Sequence, residues 1–190
     1  MNEKLLGNVR FYFAQSVFNS NCHFKAMGRF KKYEKRFSRI IISVSSITII
    51  SLILQIVGFE NSFQILRIVA VYIGLFATAG SLICERFNKS DRIQKIFQHN
   101  MYAEKYKSLR DEYMSLIEEI MSNFIPEDQI RVKRDNLQKR YSDLGENAPN
   151  IAVVDYEQAR IGLGIFKNNK EEFTWSDSEI NKFLPKELHV

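Results

Sequence analysis

The sequence predicts an all-α membrane protein: a two-helix transmembrane hairpin with long helical cytoplasmic extensions and a C-terminal helical region. Two apolar segments follow each other closely. Residues 40–59 carry no charge across twenty positions, and residues 68–84 carry none across seventeen. A hydrocarbon core about 30 Å thick needs roughly 20 apolar residues as a helix. Beyond these segments, apolar residues recur at helical spacing, and no strand pattern is convincing.

The two membrane spans are predicted at residues 40–59 and 63–84, joined by a tight polar turn at residues 60–62. Arg67 lies in the first turns of the second span, where a long side chain can snorkel to the interface. A buried hairpin of a soluble protein is the alternative. Soluble core helices rarely run two such apolar segments back to back, which favours the transmembrane hairpin.

The chain is predicted to have three segments, and the distribution of basic residues predicts on which side of the membrane the termini lie. Residues 1–39 form an N-terminal amphipathic, basic helical segment with nine Lys or Arg and two Glu. Residues 40–84 form the hairpin, and residues 85–190 a cytoplasmic helical domain. Because positive charge flanks the cytoplasmic ends of spans, both termini are predicted to be cytoplasmic. The basic residues that follow the second span are Arg86, Lys89, Arg92 and Lys95.

The net charge of +5 is then explained mostly by topology and by attraction to anionic lipid. Residues 85–190 are nearly neutral, with 17 basic and 19 acidic residues, so no binding to duplex DNA is expected. The 39 mostly polar residues before the first span argue against a cleaved signal peptide. We therefore expect a multi-pass protein of the inner (plasma) membrane, with the lipid bilayer as a partner.

The helical segments are predicted in chain order from periodicity and capping. The N-terminal segment is expected to be an interfacial helix followed by an extension of the first span, with a break near residues 19–21. The second span continues unbroken to about Phe124, over about sixty residues. Pro126 starts a helix that ends at Gly145, and another covers residues 151–163.

A capping box at Ser176 and Glu179 starts the last short helix, which runs to about Leu184.

Residues for catalysis, metal binding or cofactor binding are not evident. Cys22 and Cys84 form no paired motif, and Gly162-Leu163-Gly164 lacks the rest of a dinucleotide fingerprint. The three histidines are far apart in sequence and have no metal-ligand spacing. The sequence therefore predicts no catalytic residues, no metal site and no cofactor, and the protein is not expected to be an enzyme. The histidines are His23, His99 and His189.

Polar residues in the first span form a weakly polar stripe that has two interpretations. It either lines water in an oligomeric pore or hydrogen-bonds to a neighbouring helix. Because two helices cannot enclose a pore, a channel would require a homo-oligomer, at least a tetramer. Glu60 and Arg67 are candidates for a pore mouth, although snorkelling of Arg67 to the interface is the favoured alternative. The pore-lining candidates are Ser43, Thr48, Ser51 and Gln55.

The second span carries small residues at four-residue steps, which allow helix backbones to approach closely. The predicted helix-packing residues are Ala70, Gly74 and Thr78 on one row and Ala77 and Ser81 on another.

Several of these features together resemble the SLATT family of small bacterial two-helix membrane effectors. They are the transmembrane hairpin, the helical segment YAEKYKSLRDEYMSLIEE at residues 102–119, and the segments YEQARIGLGI at 156–165 and FTWSDSEINKFL at 173–184. The resemblance covers nearly the whole chain. It implies an effector of an anti-phage defence system, in which a companion nucleotidyltransferase makes a nucleotide or oligonucleotide messenger. The effector then permeabilises the membrane and causes growth arrest or cell death.

An anionic messenger would require basic side chains in the cytoplasmic part. The helix after Pro126 carries a cluster of such basic residues. The alternative interpretation of this cluster is a charged face exposed to solvent, with Asp residues as neighbours. The rival functions are a non-conducting membrane anchor that recruits a cytosolic partner, a membrane enzyme, and a disruptor without ligand control. The candidate ligand-binding residues are Arg131, Lys133, Arg134, Lys139, Arg140 and Arg160.

Overall fold

The computed structural model describes residues 3–56, 64–165 and 175–190, without the side chains of residues 54–56, 64–67, 70 and 84–89. All regular structure in these ranges is helical, which confirms the predicted all-α class. The helices are α1 (Glu3–Ile56), α2 (Gln64–Ser122), α3 (Glu127–Asn147), α4 (Val153–Gly162), α5 (Asp177–Asn181) and a 3-10 helix (Lys186–Leu188).

The chain forms two compact units. The bundle unit consists of Met1–Met27 and Phe97–Val190, and the hairpin unit consists of Gly28–Ile96. The predicted membrane boundaries of the three segments stay a prediction, and the predicted turn at residues 60–62 lies outside the described residues.

The core of the bundle unit forms where the N-terminal part of α1 packs against α2. Leu6, Val9 and Phe13 lie at three- and four-residue steps on one face of α1 and are fully buried. They meet the buried side chains of Leu109 and Tyr113 of α2 in one apolar cluster. Side chains at this spacing share one helix face, so burying them together explains why both helices are long and continuous here. Other members of the cluster are Ile130, Leu137, Ile180 and Leu184.

The predicted break near residues 19–21 is wrong, because α1 is continuous from Glu3 to Ile56. Asn and Ser side chains disfavour helix interiors because they compete for backbone hydrogen bonds. In the structure these groups bind other helices instead. Asn19 donates a hydrogen bond to the Tyr141 hydroxyl at 2.8 Å, and Ser20 donates one to the Ala103 carbonyl at 2.9 Å. Tertiary contacts therefore remove the local reason for a break.

The C-terminal helices match the predicted capping. The α5 helix begins with a capping box in which the Ser176 backbone N–H donates to the Glu179 carboxylate at 2.9 Å. The α5 helix ends at Asn181, earlier than the predicted Leu184, and the chain continues as turn. The α4 helix ends before Gly164, whose φ of 67° favours glycine.

Arg10 connects α1 to the C-terminal segment. Its side chain is only 2% exposed, and its guanidinium donates to Asn181 Oδ1 at 2.7 Å and to Asp177 Oδ1 at 3.2 Å. A further hydrogen bond reaches the Leu188 carbonyl oxygen at 3.1 Å. Arg10 thus holds three separate C-terminal groups against α1, while its buried Nε has no hydrogen-bond partner among the described residues.

We expect Arg10→Met to lower the free energy of unfolding of the bundle unit by about 1–3 kcal/mol, because it removes three hydrogen bonds from a charged group that hold the C-terminal segment against α1. The sole tryptophan, Trp175, packs against Phe18 and Phe183 in this unit, so its fluorescence follows urea unfolding in detergent. Lys4→Met, at an exposed position of the same helix, is the matched control. Equal urea midpoints for Arg10→Met and the native protein would contradict the prediction.

Candidate functional site

Within the hairpin unit, α1 and α2 meet at Thr48, Gly74 and Thr78. The Thr48 Cγ2 atom lies 3.4 Å from the position that a Cβ would take at Gly74. Thr78 Oγ1 donates to the Gly74 carbonyl oxygen at 2.8 Å and lies 3.1 Å from Thr48 Oγ1. Glycine therefore lets the α2 backbone approach a threonine side chain, and the half-buried Thr48 hydroxyl, which donates to the Val44 carbonyl oxygen at 3.0 Å, can accept from Thr78 across the contact.

The pore-lining candidates occupy different surroundings. Thr48 lies in the helix contact, Ser51 is half-buried and Ser43 is exposed. The side chain of Gln55 lies outside the described residues, as do Glu60 and the side chain of Arg67. Of the two interpretations of the polar stripe in the first span, Thr48 fits the hydrogen bond to a neighbouring helix. Pore lining stays a prediction.

The predicted packing rows of α2 are described in part. Gly74 is buried, and Ala77, Thr78 and Ser81 are half-buried. Ser81 donates to the Thr78 carbonyl oxygen at 2.8 Å, which satisfies its hydroxyl within its own helix. The Ala70 side chain lies outside the described residues, so the contact at Gly74 and Thr78 is the part of the row that the structure shows.

The outer faces of the hairpin are large and apolar. Leu75 and Phe76 of α2 are 63% and 73% exposed, and Ile47 of α1 is 60% exposed. Among the described residues, one segment within Glu3–Ile53 is long and apolar enough to cross a membrane, and Val71–Ile83 is a shorter apolar segment. Such continuous apolar surface requires lipid or other protein chains to cover it.

Most of the candidate ligand-binding residues are paired with carboxylates of the bundle unit. Lys133 Nζ lies 2.7 Å from Glu119, Arg134 lies 2.7 Å from Asp135, and Arg160 lies 2.8 Å from Glu157. Arg131 pairs with Glu127 and Arg140 with Glu112, while Lys139 is exposed and has no ion pair among the described residues. An anion would have to compete with these carboxylates, which favours the solvated-face interpretation for most of the cluster.

Arg140 differs from the other candidates because it lines a cleft between α2 and α3. The cleft has a volume of about 520 Å³, and its other polar wall residues are Tyr102, Lys105, Ser108, Asp143 and Asn147. The Lys105 ammonium lies 5.1 Å from the centre of the Tyr102 ring. Hydrogen bonds from Arg140 lower the pKa of Glu112, so this carboxylate stays ionised beside the cleft.

A buried histidine pair was missed from the sequence. His23 Nδ1 of α1 lies 3.0 Å from His99 Nδ1 of α2, and both side chains are at most 2% exposed. The Tyr106 ring stacks on His23 with its centroid 5.7 Å away. One Nδ1 must donate a proton and the other accept it, so the pair needs at least one neutral ring. The two histidines are 76 positions apart in the sequence, which matches no metal-ligand spacing.

Burial, and next the nearby His99, lowers the pKa of His23 to about 4. Burial raises the pKa of the neighbouring Cys22 thiol to about 12, so this cysteine is an unreactive thiol. Among the described residues, no group of three or more His, Cys, Asp or Glu lies close enough to hold a metal ion.

These features define a class: an all-helical protein in which a helical hairpin exposes continuous apolar faces and a polar helical bundle packs on its own core. The chain belongs to the SMODS and SLOG-associating 2TM effector domain family 4, which it matches over residues 5–179. It is therefore a membrane protein. The domain that defines its family is an effector domain of defence systems. The match confirms the resemblance to the SLATT family. No curated protein and no solved structure shows a significant match to this chain.

Proposed function

We propose that this protein is an oligomeric membrane pore of a bacterial anti-phage defence system, controlled by a nucleotide second messenger. The observation that carries the proposal is the hairpin itself, in a chain that belongs to a two-transmembrane effector family. Small and hydroxyl-bearing residues join α1 to α2, whereas large apolar residues point outward. One such pair cannot enclose water, so conduction requires several copies, at least four.

Exposed hydroxyls on the outer surface of α1 are the proposed lining of that pore. Ser43 is exposed, and Ser51 is half-buried beside the contact at Thr48. In an assembly, a second copy would cover the apolar side chains and bring the serines of neighbouring copies around one axis. A polar lining among apolar helices would then hold water and pass ions.

The proposed location is the inner membrane with both termini in the cytoplasm. The basic flanks of the apolar segments support this orientation. The bundle unit would then face the compartment in which a companion nucleotidyltransferase makes its product, and the family description associates this domain with SMODS proteins.

The cleft beside Arg140 is the proposed messenger site. In this proposal a nucleotide phosphate accepts hydrogen bonds from Arg140 and Lys105. The Asn147 side-chain oxygen accepts one from a base or sugar, while its Nδ2 keeps its hydrogen bond to the Asp143 carbonyl oxygen. Binding would require the phosphate to replace Glu112 as the partner of Arg140. Exchange of one ionic partner for another within a helix–helix contact is the proposed physical basis for two states with different affinities for the messenger.

Planar-bilayer recordings of the purified full-length protein test the proposal, with and without cyclic dinucleotides and cyclic trinucleotides. We expect unitary currents that one of these nucleotides turns on or off. In the Arg140→Gln variant, the nucleotide concentration for half-maximal response should rise about tenfold or more, as expected for the loss of a charge-assisted hydrogen bond. Arg110→Gln is the control, since Arg110 also pairs with a carboxylate but does not line the cleft.

Three results would contradict parts of the proposal. Currents that ignore every nucleotide would indicate a disruptor without ligand control. An unchanged response of Arg140→Gln would exclude the cleft as the messenger site. Silent bilayers, with insertion and oligomerisation verified, would exclude the pore.

A non-conducting membrane anchor is the second candidate function. Val153, Val154 and Ile161 of α4 are 79%, 48% and 59% exposed and lie within about 100° of one another around the helix. An apolar patch of this kind suits a partner protein. If the anchor is correct, charged substitutions at these positions should abolish activity in cells, whereas Ser43→Leu and Ser51→Leu should not.

A further inference from the structure

The hairpin unit carries a continuous basic face on α1, which we call the basic stripe: Lys31, Lys32, Lys35, Arg36 and Arg39. All five side chains are exposed, and none has an ion pair among the described residues. At about 100° per residue the five positions span about 140° of the helix circumference, so they share one face. Five adjacent cations without ion pairs create a strongly positive local potential that attracts anions.

Contacts with α2 determine which way the basic stripe faces. Arg92 of α2 lies over the Phe37 ring at 4.3 Å, and Lys95 lies 5.8 Å from the centre of the Phe30 ring. Phe30 and Phe37 lie on the side of α1 opposite the basic stripe, because both fall more than about 100° from its centre. These cation–π contacts therefore direct the basic stripe away from α2.

The position along the chain identifies the partner. Arg39 immediately precedes residue 40, where the apolar segment begins. From Lys31 to Arg39 the helix rises about 12 Å, so the whole basic stripe lies within roughly one Debye length of the membrane boundary predicted at residue 40. The negative potential of anionic lipids acts over that same distance.

We propose that the basic stripe binds the phosphate groups of anionic phospholipid headgroups and gives the protein a preference for anionic over zwitterionic lipid. The interaction is with lipid rather than with a soluble anion, because the cations are spread over about 12 Å of the helix just before the apolar segment and do not converge on a pocket. Long Lys and Arg side chains can each reach a separate headgroup from this face.

Electron spin resonance of the full-length protein in phosphatidylcholine vesicles tests the proposal. Spin-labelled phosphatidylglycerol and spin-labelled phosphatidylcholine are compared for their association with the protein. We expect an association constant about threefold or more higher for phosphatidylglycerol, falling towards equality in K31Q/K32Q/K35Q and at 1 M salt. Arg36 and Arg39 are retained so that the orientation is preserved, which protease protection verifies.

The matched control is K4Q/K182Q/K186Q, which removes the same charge from exposed positions of the bundle unit. This control should keep the lipid preference. Equal association of both lipids with the native protein would overturn the proposal, as would an unchanged preference in K31Q/K32Q/K35Q. Loss of the preference on adding millimolar ATP at constant ionic strength would overturn it in favour of a soluble-anion site.

Discussion

Gly74→Leu should separate α1 from α2 in the hairpin unit and abolish the proposed ion conduction. A Cβ at this position would already lie 3.4 Å from Thr48 Cγ2, so the remaining leucine atoms would overlap α1. Overpacking of this kind costs about 1–3 kcal/mol, which corresponds to a decrease of about fivefold to about 150-fold in the population of the close-packed hairpin. Gly74→Ala should be tolerated, because its single added atom makes a tight but acceptable contact.

Disulfide formation between cysteines at positions 48 and 78 measures the contact without reference to function. The two threonine Oγ1 atoms lie 3.1 Å apart, and the cysteines are introduced in a background that lacks the native ones. Gly80→Leu is the control, because a Cβ at Gly80 meets no atom within 4 Å among the described residues. We expect the cross-linking yield to fall in Gly74→Leu and to remain in Gly80→Leu. Equal yields in Gly74→Leu and Gly80→Leu would show that the close approach at Gly74 does not hold α1 against α2.

Acid should destabilise the bundle unit through His23. The lowered pKa means that the unfolded chain takes up a proton near pH 6.5, whereas the folded protein takes it up only near pH 4. Stability is therefore complete above pH 6.5 and falls as the pH decreases towards 4. The full loss is about 3 kcal/mol, since each pKa unit corresponds to about 1.4 kcal/mol.

Urea unfolding of the full-length protein in detergent, followed by Trp175 fluorescence between pH 7.5 and 4, measures this loss. His23→Gln removes the titrating ring and keeps a side chain that can hydrogen-bond to His99, so its stability should change much less with pH. His189→Gln, which removes a histidine at the C-terminus instead, should keep the native pH dependence. A native protein with constant stability over this range would refute the assignment.

Local sequence patterns predicted those parts of the structure that depend on neighbouring residues. The absence of a helix breaker between the second span and Pro126 predicted about sixty helical residues, and α2 has 59. Ser176 and Glu179 predicted the capping box because its hydrogen bonds involve residues only three positions apart. The predicted break near residues 19–21 was wrong because Asn19 and Ser20 bind α3 and α2, which local propensity does not register.

In the candidate site too, local sequence predicted some features, whereas contacts between distant residues were missed. The row of small residues in the second span indicated close packing, but it did not identify Thr48 as the side chain opposite Gly74. The position of the predicted turn could have indicated which residues of the two helices face each other. Thr48 and Gly74 lie 13 residues before and after residue 61, and His23 and His99 lie 38 residues before and after it. Extending the antiparallel register from the turn would have paired the two histidines.

The sequence by itself determined the membrane class, the helical content, the caps and the charge asymmetry, because each depends on composition or on residues within a few positions. Only the tertiary structure decided that Arg10 is buried against the C-terminal segment, that Arg140 lines a cleft while most other candidate cations are simply paired, and that His23 contacts His99. These outcomes depend on which helix faces meet. Contacts between residues distant in the chain, each of modest energy, decide that choice together.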